Sequence, residues 1–306
     1  MLQRDAFIQV IYEEALSNRD IYFLSADFGS ETLDSLRVNR PDQFLHCGIS
    51  EQHMIDMAAG LSLAGKKVYA YAMGPFLALR CYEQIKCSLA MMNQPVTLIS
   101  SGIGLGYADS GPTHYLTEDI ACLRALHGIE IYTPADIETT VNIARLSLET
   151  AKLRYIRLDR SALPAIEKHG NISGGFYELK HGNDVCILSS GYSLHRSLKA
   201  HELLFNQGTN TGLVDLFRIK PVSHDLLAVL DRYKYIVTVE EQCLPGGFGS
   251  AVLEFMSDNG MVKPVKRLGL QDRYYFENGG RELLLNLFGL SVGDICAAVN
   301  KLIDWL

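Results

Sequence analysis

Two doubly wound α/β domains are what this sequence predicts, on three observations. Short apolar runs of strand length alternate with longer stretches in which apolar residues recur every three or four positions. That alternation lapses over residues 166–183, where Gly170, Gly174, Gly175 and Gly182 sit among polar residues, and then restarts. The 306 residues, 48% of them hydrophobic, suffice for two cores of ordinary size. The expected organisation is therefore a first domain over 1–165, a linker over 166–183 and a second domain over 184–306.

Taken in order, the chain opens with a helix over about residues 5–17 and a strand over 21–25. The turn that follows holds Asp27 and Ser30, which either line a site at a strand's carboxyl end or simply shape the turn. In the next helix Met54, Met57, Ala58 and Leu61 form an inward stripe that continues back through Glu51. Two readings of Glu51 stay open here. It answers the helix dipole beside a capping Ser50, or it is a carboxyl group held in a poorly solvated cleft where it can share a proton with a ligand nitrogen.

Residues 60–67 superficially match a phosphate loop, but Lys67 replaces the metal-binding hydroxyl and the segment closes a helix instead of opening one. Gly65 is better read as a C-cap, with the lysines answering the dipole. After a strand over 68–71, Pro75 and Phe76 start a helix expected to run to about residue 92, carrying Arg80, Tyr82, Glu83 and Lys86. Phe76 is placed either to stack on a planar ligand or to fill the core.

A strand over 96–100 leads into residues 102–114, where four glycines and a proline dictate a loop. Its Gly-x-Gly-x-Gly lacks the following helix of a dinucleotide fingerprint. His114, at the loop's end, is a candidate for proton transfer, or else a structural residue. A helix over 117–126, a strand over 130–132, a helix from Pro134 to about 150 and a strand over 155–158 complete the first domain. Arg160, just past that strand, can fork onto a phosphate or carboxylate or pair with a neighbouring acid. Further strands are expected near 185–189, 213–215, 235–239 and 265–268, with helices between them and at the end.

Net charge is −7, from 28 basic and 35 acidic residues, with no basic cluster. That argues against nucleic acid or an anionic membrane as partner. Residues 1–7 lack the apolar core of a secretion signal, and no run of about 18 apolar residues occurs, so a cytoplasmic protein is expected. The seven cysteines are scattered without a Cys-x-x-Cys pair, which points to reduced thiols.

Several segments resemble one family in order along the chain. Gly48-Ile49-Ser50-Glu51-Gln52-His53 is similar to the Gly-Ile-x-Glu-Gln/His-His segment of the pyrimidine-binding domain of transketolases and deoxyxylulose-phosphate synthases. Gly111-Pro112-Thr113-His114 resembles their Asp-Gly-Pro-Thr-His loop, and Tyr132-Thr133-Pro134-Ala135-Asp136 the Pro-Ala-Asp turn beyond it. In the second half, Val237-Thr238-Val239-Glu240-Glu241, the segment from Gly246 to Val252 and the segment from Leu268 to Arg273 resemble the transketolase C-terminal domain. The Gly-Asp-Gly motif with which the family holds the diphosphate and Mg²⁺ does not occur.

The resemblance implies the second subunit of a split transketolase that binds only the pyrimidine end of thiamine diphosphate. A diphosphate-binding N-terminal subunit would supply the Mg²⁺ ligands, giving a heterotetramer with two copies of each chain that moves a two-carbon ketol unit between sugars or sugar phosphates. Glu51 would hydrogen-bond the aminopyrimidine N1′, Phe76 would stack on that ring, and Asp27 would line the cofactor side. His114 would contact the donor's oxygen and assist proton transfer, and Arg160 would grip the sugar-phosphate end. The family's substrate-binding acid, four residues before the histidine, is Ser110 here, with Asp109 displaced by one place; Ser100 and Ser101 stand where transketolases carry a phosphate-binding histidine. Acyl transfer from pyruvate or another 2-oxo acid, as in the synthases or the beta chain of a 2-oxo-acid dehydrogenase, is the nearest alternative. A non-catalytic scaffold or regulatory subunit is the alternative of another class.

Overall fold

The computed structural model describes residues 1–26 and 29–304. Its first half comprises α1 (Gln3–Ala15), β1 (Ile21–Ala26), α2 (Glu31–Asn39), β2 (Phe44–Gly48), α3 (Glu51–Leu63), β3 (Lys67–Met73), α4 (Gly74–Ala78) and α5 (Tyr82–Gln84). It continues through β4 (Val96–Ser101), α6 (Asp119–Leu123), β5 (Glu130–Tyr132), α7 (Ile137–Glu149) and β6 (Arg154–Leu158). The second half holds β7 (Tyr177–Lys180), β8 (Val185–Ser189), α8 (Gly191–Asn206), β9 (Gly212–Asp215), β10 (Arg218–Lys220), α9 (Asp225–Leu230) and β11 (Tyr235–Cys243). It closes with α10 (Phe248–Asp258), β12 (Val265–Leu270), α11 (Arg281–Leu287) and α12 (Val292–Ile303).

These strands form two sheets, ordered β10-β5-β6-β4-β3-β1-β2 and β12-β11-β8-β9-β7. Among the described residues the pairings are parallel except β10 with β5 and β7 with β9. Parallel strands need crossover helices on both faces, so their side chains are buried on either side and read as continuous apolar runs. β4 and β6 are buried throughout.

The expected pair of α/β domains is present, with local differences. Ser50 does not cap α3: its hydroxyl donates to the Cys47 carbonyl instead. Gly65 does close α3 in the left-handed region, at φ +80°. The helix expected from Pro75 to about residue 92 is broken after Ala78 and resumes as α5 and a π-helix over Ile85–Ala90. The Arg80 amide reaches back five residues to the Pro75 carbonyl, which marks the widened turn. A four-residue spacing such as Ile85 to Leu89 keeps apolar side chains inward in either helix type, so periodicity alone does not reveal the change.

Two further differences concern the junction of the halves. The stretch 166–183, expected to be a linker, contains β7, which pairs antiparallel at the edge of the second sheet. β10, from the second half, crosses to pair with β5 at the edge of the first sheet. One apolar cluster draws on both halves, from Leu24, Met54 and Ile103 to Leu188, Ile236 and Phe248.

Within the first domain Asp119 and Arg157 are both fully buried. The guanidinium donates from Nε to Asp119 Oδ2 at 2.6 Å and from Nη2 to Oδ1 at 3.0 Å, while the Tyr155 hydroxyl donates to Oδ2 at 2.8 Å. Arg157 Nη1 also donates to Thr133 Oγ1 at 2.9 Å, so the buried charges are hydrogen-bonded on several sides. Removing the acid strands a cation in the core. Asp119→Ala is therefore expected to lower the unfolding free energy by about 3–5 kcal/mol in urea titration, and a loss under about 1 kcal/mol would mean that the pair adds little.

Candidate active site

The first sheet delivers its chemistry-bearing residues along one edge. β2 ends at Gly48 and α3 opens on Glu51; β3 ends at Met73 and α4 carries Phe76. β4 ends at Ser101 and releases the loop to His114, and β6 ends at Leu158 just before Asp159 and Arg160. In a parallel sheet these are all carboxyl ends, the place where ligands meet polar side chains. Asp27, predicted to line the same edge, lies outside the described residues.

Glu51 is 5% exposed, which favours the cleft reading over a surface answer to the helix dipole. Its Oε2 accepts from Arg80 Nη1 at 2.8 Å. The same guanidinium lies over the Phe76 ring, 4.3 Å from its centroid. Phe76 meets the His114 ring edge-on at 5.5 Å and an interplanar angle of 75°. His114 in turn faces Tyr107, 6.4 Å between ring centroids, and Arg160 covers Tyr107 at 4.6 Å. Arg160 Nη1 donates to Asp109 Oδ1 at 2.7 Å.

Glu51, Phe76, His114, Arg160 and Asp109 thus form one line of contacts through Arg80 and Tyr107. Ser110 extends beside them; its side chain is exposed and its amide donates to the Tyr107 carbonyl at 2.9 Å. The Arg160 hydrogen bond holds the exposed Asp109 carboxyl below the usual carboxylate range. Arg160 therefore pairs with a neighbouring acid in this chain, one of the two arrangements open from its sequence. His114 Nδ1 shares a hydrogen bond with Thr113 Oγ1 at 3.0 Å, which leaves Nε2 as the nitrogen to meet a ligand.

Sequence reasoning named neither Arg80 nor Tyr107 as a site residue. For Arg80 a signal existed, since in the helix expected there a cation four residues after Phe76 would share its face, although the helix in fact ends at Ala78. For Tyr107 there was only an aromatic side chain in a glycine-rich loop. The loop's closure was not legible either: Gly104 and Leu116 pair as an antiparallel bridge, and residues between them hang from it.

The site's chemistry is that of a buried carboxylate beside an aromatic ring, with an imidazole and a second guanidinium further out. The Glu51–Phe76 pair fits a flat, N–H-bearing π-system, because Arg80 already presents one: its guanidinium donates to the acid and stacks on the ring. An aminopyrimidine has the same shape and donors. Among the described residues no three His, Cys, Asp or Glu side chains converge on a metal position.

Comparison with known proteins agrees in both halves. Residues 1–165 match the transketolase pyrimidine-binding domain and residues 174–295 the transketolase C-terminal domain. The chain is 30% identical over 298 residues to one of the subunits of the apulose-4-phosphate transketolase of Phocaeicola vulgatus, covering 96% of this chain and 95% of that one. It is 35% identical over 264 residues to the 1-deoxy-D-xylulose-5-phosphate synthase of Aquifex aeolicus, where the match spans 85% of this chain but 42% of the synthase. A solved split-gene transketolase, described as an inactive beta4 tetramer, superposes with a TM-score of 0.87 at 31% identity, over 98% of this chain and 97% of that one.

The Glu51–Arg80 contact is testable by a double-mutant cycle. Arg80→Met leaves a buried carboxylate without its charged donor, at an expected cost of about 1–3 kcal/mol by urea unfolding. Glu51→Gln with Arg80→Met should cost less than the two single changes summed, and additivity within about 0.5 kcal/mol would show that the contact is not made in solution.

Proposed function

The chain belongs to the transketolase family, and from that premise we propose that it is the pyrimidine-binding subunit of a transketolase divided between two chains. Its reaction would be transfer of a two-carbon ketol unit between sugars or sugar phosphates. A partner subunit would supply the diphosphate site and the Mg²⁺ ligands, in a heterotetramer with two copies of each chain. The observation that carries the reading is the Glu51–Phe76 pair, buried acid beside aromatic ring, holding a flat N–H donor in the form of Arg80.

When bound, thiamine diphosphate supplies the nucleophilic carbon for the transfer. The work left to this chain is orientation and proton control. Glu51, poorly solvated, would hold the pyrimidine N1′ through a shared proton, and Phe76 would fix the plane of the ring. Arg80 must give up or share that place; it is half-exposed on a flexible stem and can swing to water once the ligand supplies Glu51 with a donor in its stead. His114, whose ring contacts that of Phe76, would receive and return a proton at the donor's oxygen through Nε2. Arg160 would fork onto a phosphate or a sugar hydroxyl, exchanging Asp109 for the substrate. Asp27 is proposed on the cofactor side and Ser110 beside Asp109 on the substrate side.

Acyl transfer from a 2-oxo acid is a second reading, favoured by the 35% identity to the Aquifex aeolicus synthase. A ketose donor and pyruvate, offered in turn to the assembled enzyme, separate the two.

Purified alone, this chain should be inactive; turnover without a partner would overturn the divided-enzyme reading. The natural partner to test is a chain carrying Gly-Asp-Gly followed by Asn-Asn. In that assembly Glu51→Gln should lower ketol transfer by about 10²-fold or more with the subunits still associated. Unchanged transfer would remove Glu51 from the mechanism. His114→Ala should slow turnover by about 10²-fold while the cofactor's dissociation constant changes far less.

A further inference from the structure

We infer that Arg281, in the second domain, is a positioning residue for both substrate-facing side chains of the first, His114 and Arg160. The inference deepens the proposed function and rests on its assignment of those two residues. Arg281 opens α11, yet its side chain is only 8% exposed and turns across the junction between the domains. Its guanidinium grips two buried acids. Nη1 and Nη2 donate to Asp159 Oδ1 and Oδ2 at 3.0 and 2.7 Å, and Nε donates to Glu241 Oε2 at 2.9 Å. Nη2 also pairs with Glu241 Oε1, and the whole cation rests on the Tyr192 ring, 3.6 Å from its centroid.

Each acid governs one arm of the candidate site. Asp159 stands directly before Arg160, and its Oδ1 accepts the Ser161 amide at 2.7 Å, so that carboxylate shapes the turn on which Arg160 is mounted. The Asp159 amide is itself tied to Gln3 Oε1 at 2.8 Å. Glu241, at the end of β11, reaches into the His114 loop and accepts the Leu105 amide at 3.3 Å. Its side chain fills the space against Gly104, where an added Cβ would come within 2.3 Å of it; Gly104 sits at φ +56°. Gly104 and Leu116 close the loop that bears Tyr107, Asp109 and His114.

One guanidinium therefore sets the height of the Arg160 turn and the root of the His114 loop together. A point charge would not serve: the fork of Nε, Nη1 and Nη2 meets both carboxylates along two edges, and lysine offers no such geometry. Without the clamp two buried acids face each other uncompensated across the domain junction. The expected consequence is a shift of both loops, and displacement of about 1 Å at a reacting group costs about 10²-fold in rate.

The test has two parts. In the isolated chain, hydrogen–deuterium exchange over residues 102–116 and 159–161 should quicken in Arg281→Lys, with exchange over α3 unchanged. In the assembly with its partner, Arg281→Lys should lower kcat/KM for a phosphorylated sugar by about 10²-fold while thiamine diphosphate affinity stays within about threefold, because Glu51 and Phe76 lie off the clamp. Single-arm variants separate positioning from general damage, and stand in should Arg281→Lys not fold. Glu241→Gln should chiefly lower kcat through the His114 loop, and Asp159→Asn should chiefly raise KM for the phosphorylated sugar through Arg160. Unchanged exchange in the loops would overturn the proposal, as would equal losses of cofactor affinity and kcat/KM in all three variants. Should the assembly show no thiamine-dependent transfer at all, the functional reading fails, and the exchange measurement still decides whether Arg281 holds the two loops.

Discussion

A parallel strand cannot return directly to its neighbour; it needs a crossover, and the crossover puts every strand's carboxyl end on the same edge of the sheet. The rest of this molecule depends on that constraint. It is why Glu51, Phe76, His114 and Arg160, spread over more than a hundred residues of chain, emerge side by side. The strands themselves carry none of the chemistry. The central ones, β3, β4 and β6, are largely buried, and their contribution is register: they run in parallel pairing, so their last residues reach the same level.

Edges alone do not fix loops, and the long loop between β4 and α6 has no regular structure of its own. Here buried ion pairs do the fixing. Asp119 and Arg157 lock the start of α6 to β6 from within, while Arg281 joins Asp159 and Glu241 from the other domain. In both cases the cation is arginine, bound along two edges, and the acids have further partners. Buried pairs of this kind add little net stability over a well-packed apolar core, but they tolerate few alternatives, which suits the definition of loop position. The Arg281 cluster also explains why the second domain abuts the candidate site without contributing to its line of contacts.

Much of this was legible in the sequence because it rests on period and order. Every strand except β2, β7 and β10 followed from apolar runs, the inward face of α3 from the spacing of Met54, Ala58 and Leu61, and the loop to His114 from its glycines. What was not legible depends on partners far away in sequence. β10 is only Arg218-Ile219-Lys220, one apolar residue between two cations, and nothing local says that it forms a strand or pairs with β5 of the first half. The wide turn before the π-helix keeps the same inward positions as an α-helix. Ser50 has the composition of a cap, but the Cys47 carbonyl competes for its hydroxyl and wins. Arg281 had no local signature: its meaning lies in two acids, one 122 and one 40 residues away.

The line of contacts bears on how the candidate site stays ordered with no ligand in it. On the proposed reading, a cleft that takes a ring and a charged sugar would, when empty, leave an unpaired buried acid and two bare aromatic faces. This chain instead turns its own cations inward: Arg80 covers Glu51 and Phe76, and Arg160 covers Tyr107 while holding Asp109. Both guanidinium groups are about two-fifths exposed, so water screens them, and of the two acids only Glu51 is buried. That sets their strength at a useful level. It is enough to keep aromatic faces covered and side chains near their working rotamers, and too little to compete with a ligand that brings both a ring to stack and an anion to fork. On the proposed reading, the cofactor's pyrimidine takes over the contacts of Arg80, and the substrate's phosphate those of Asp109, without the loops having to be rebuilt.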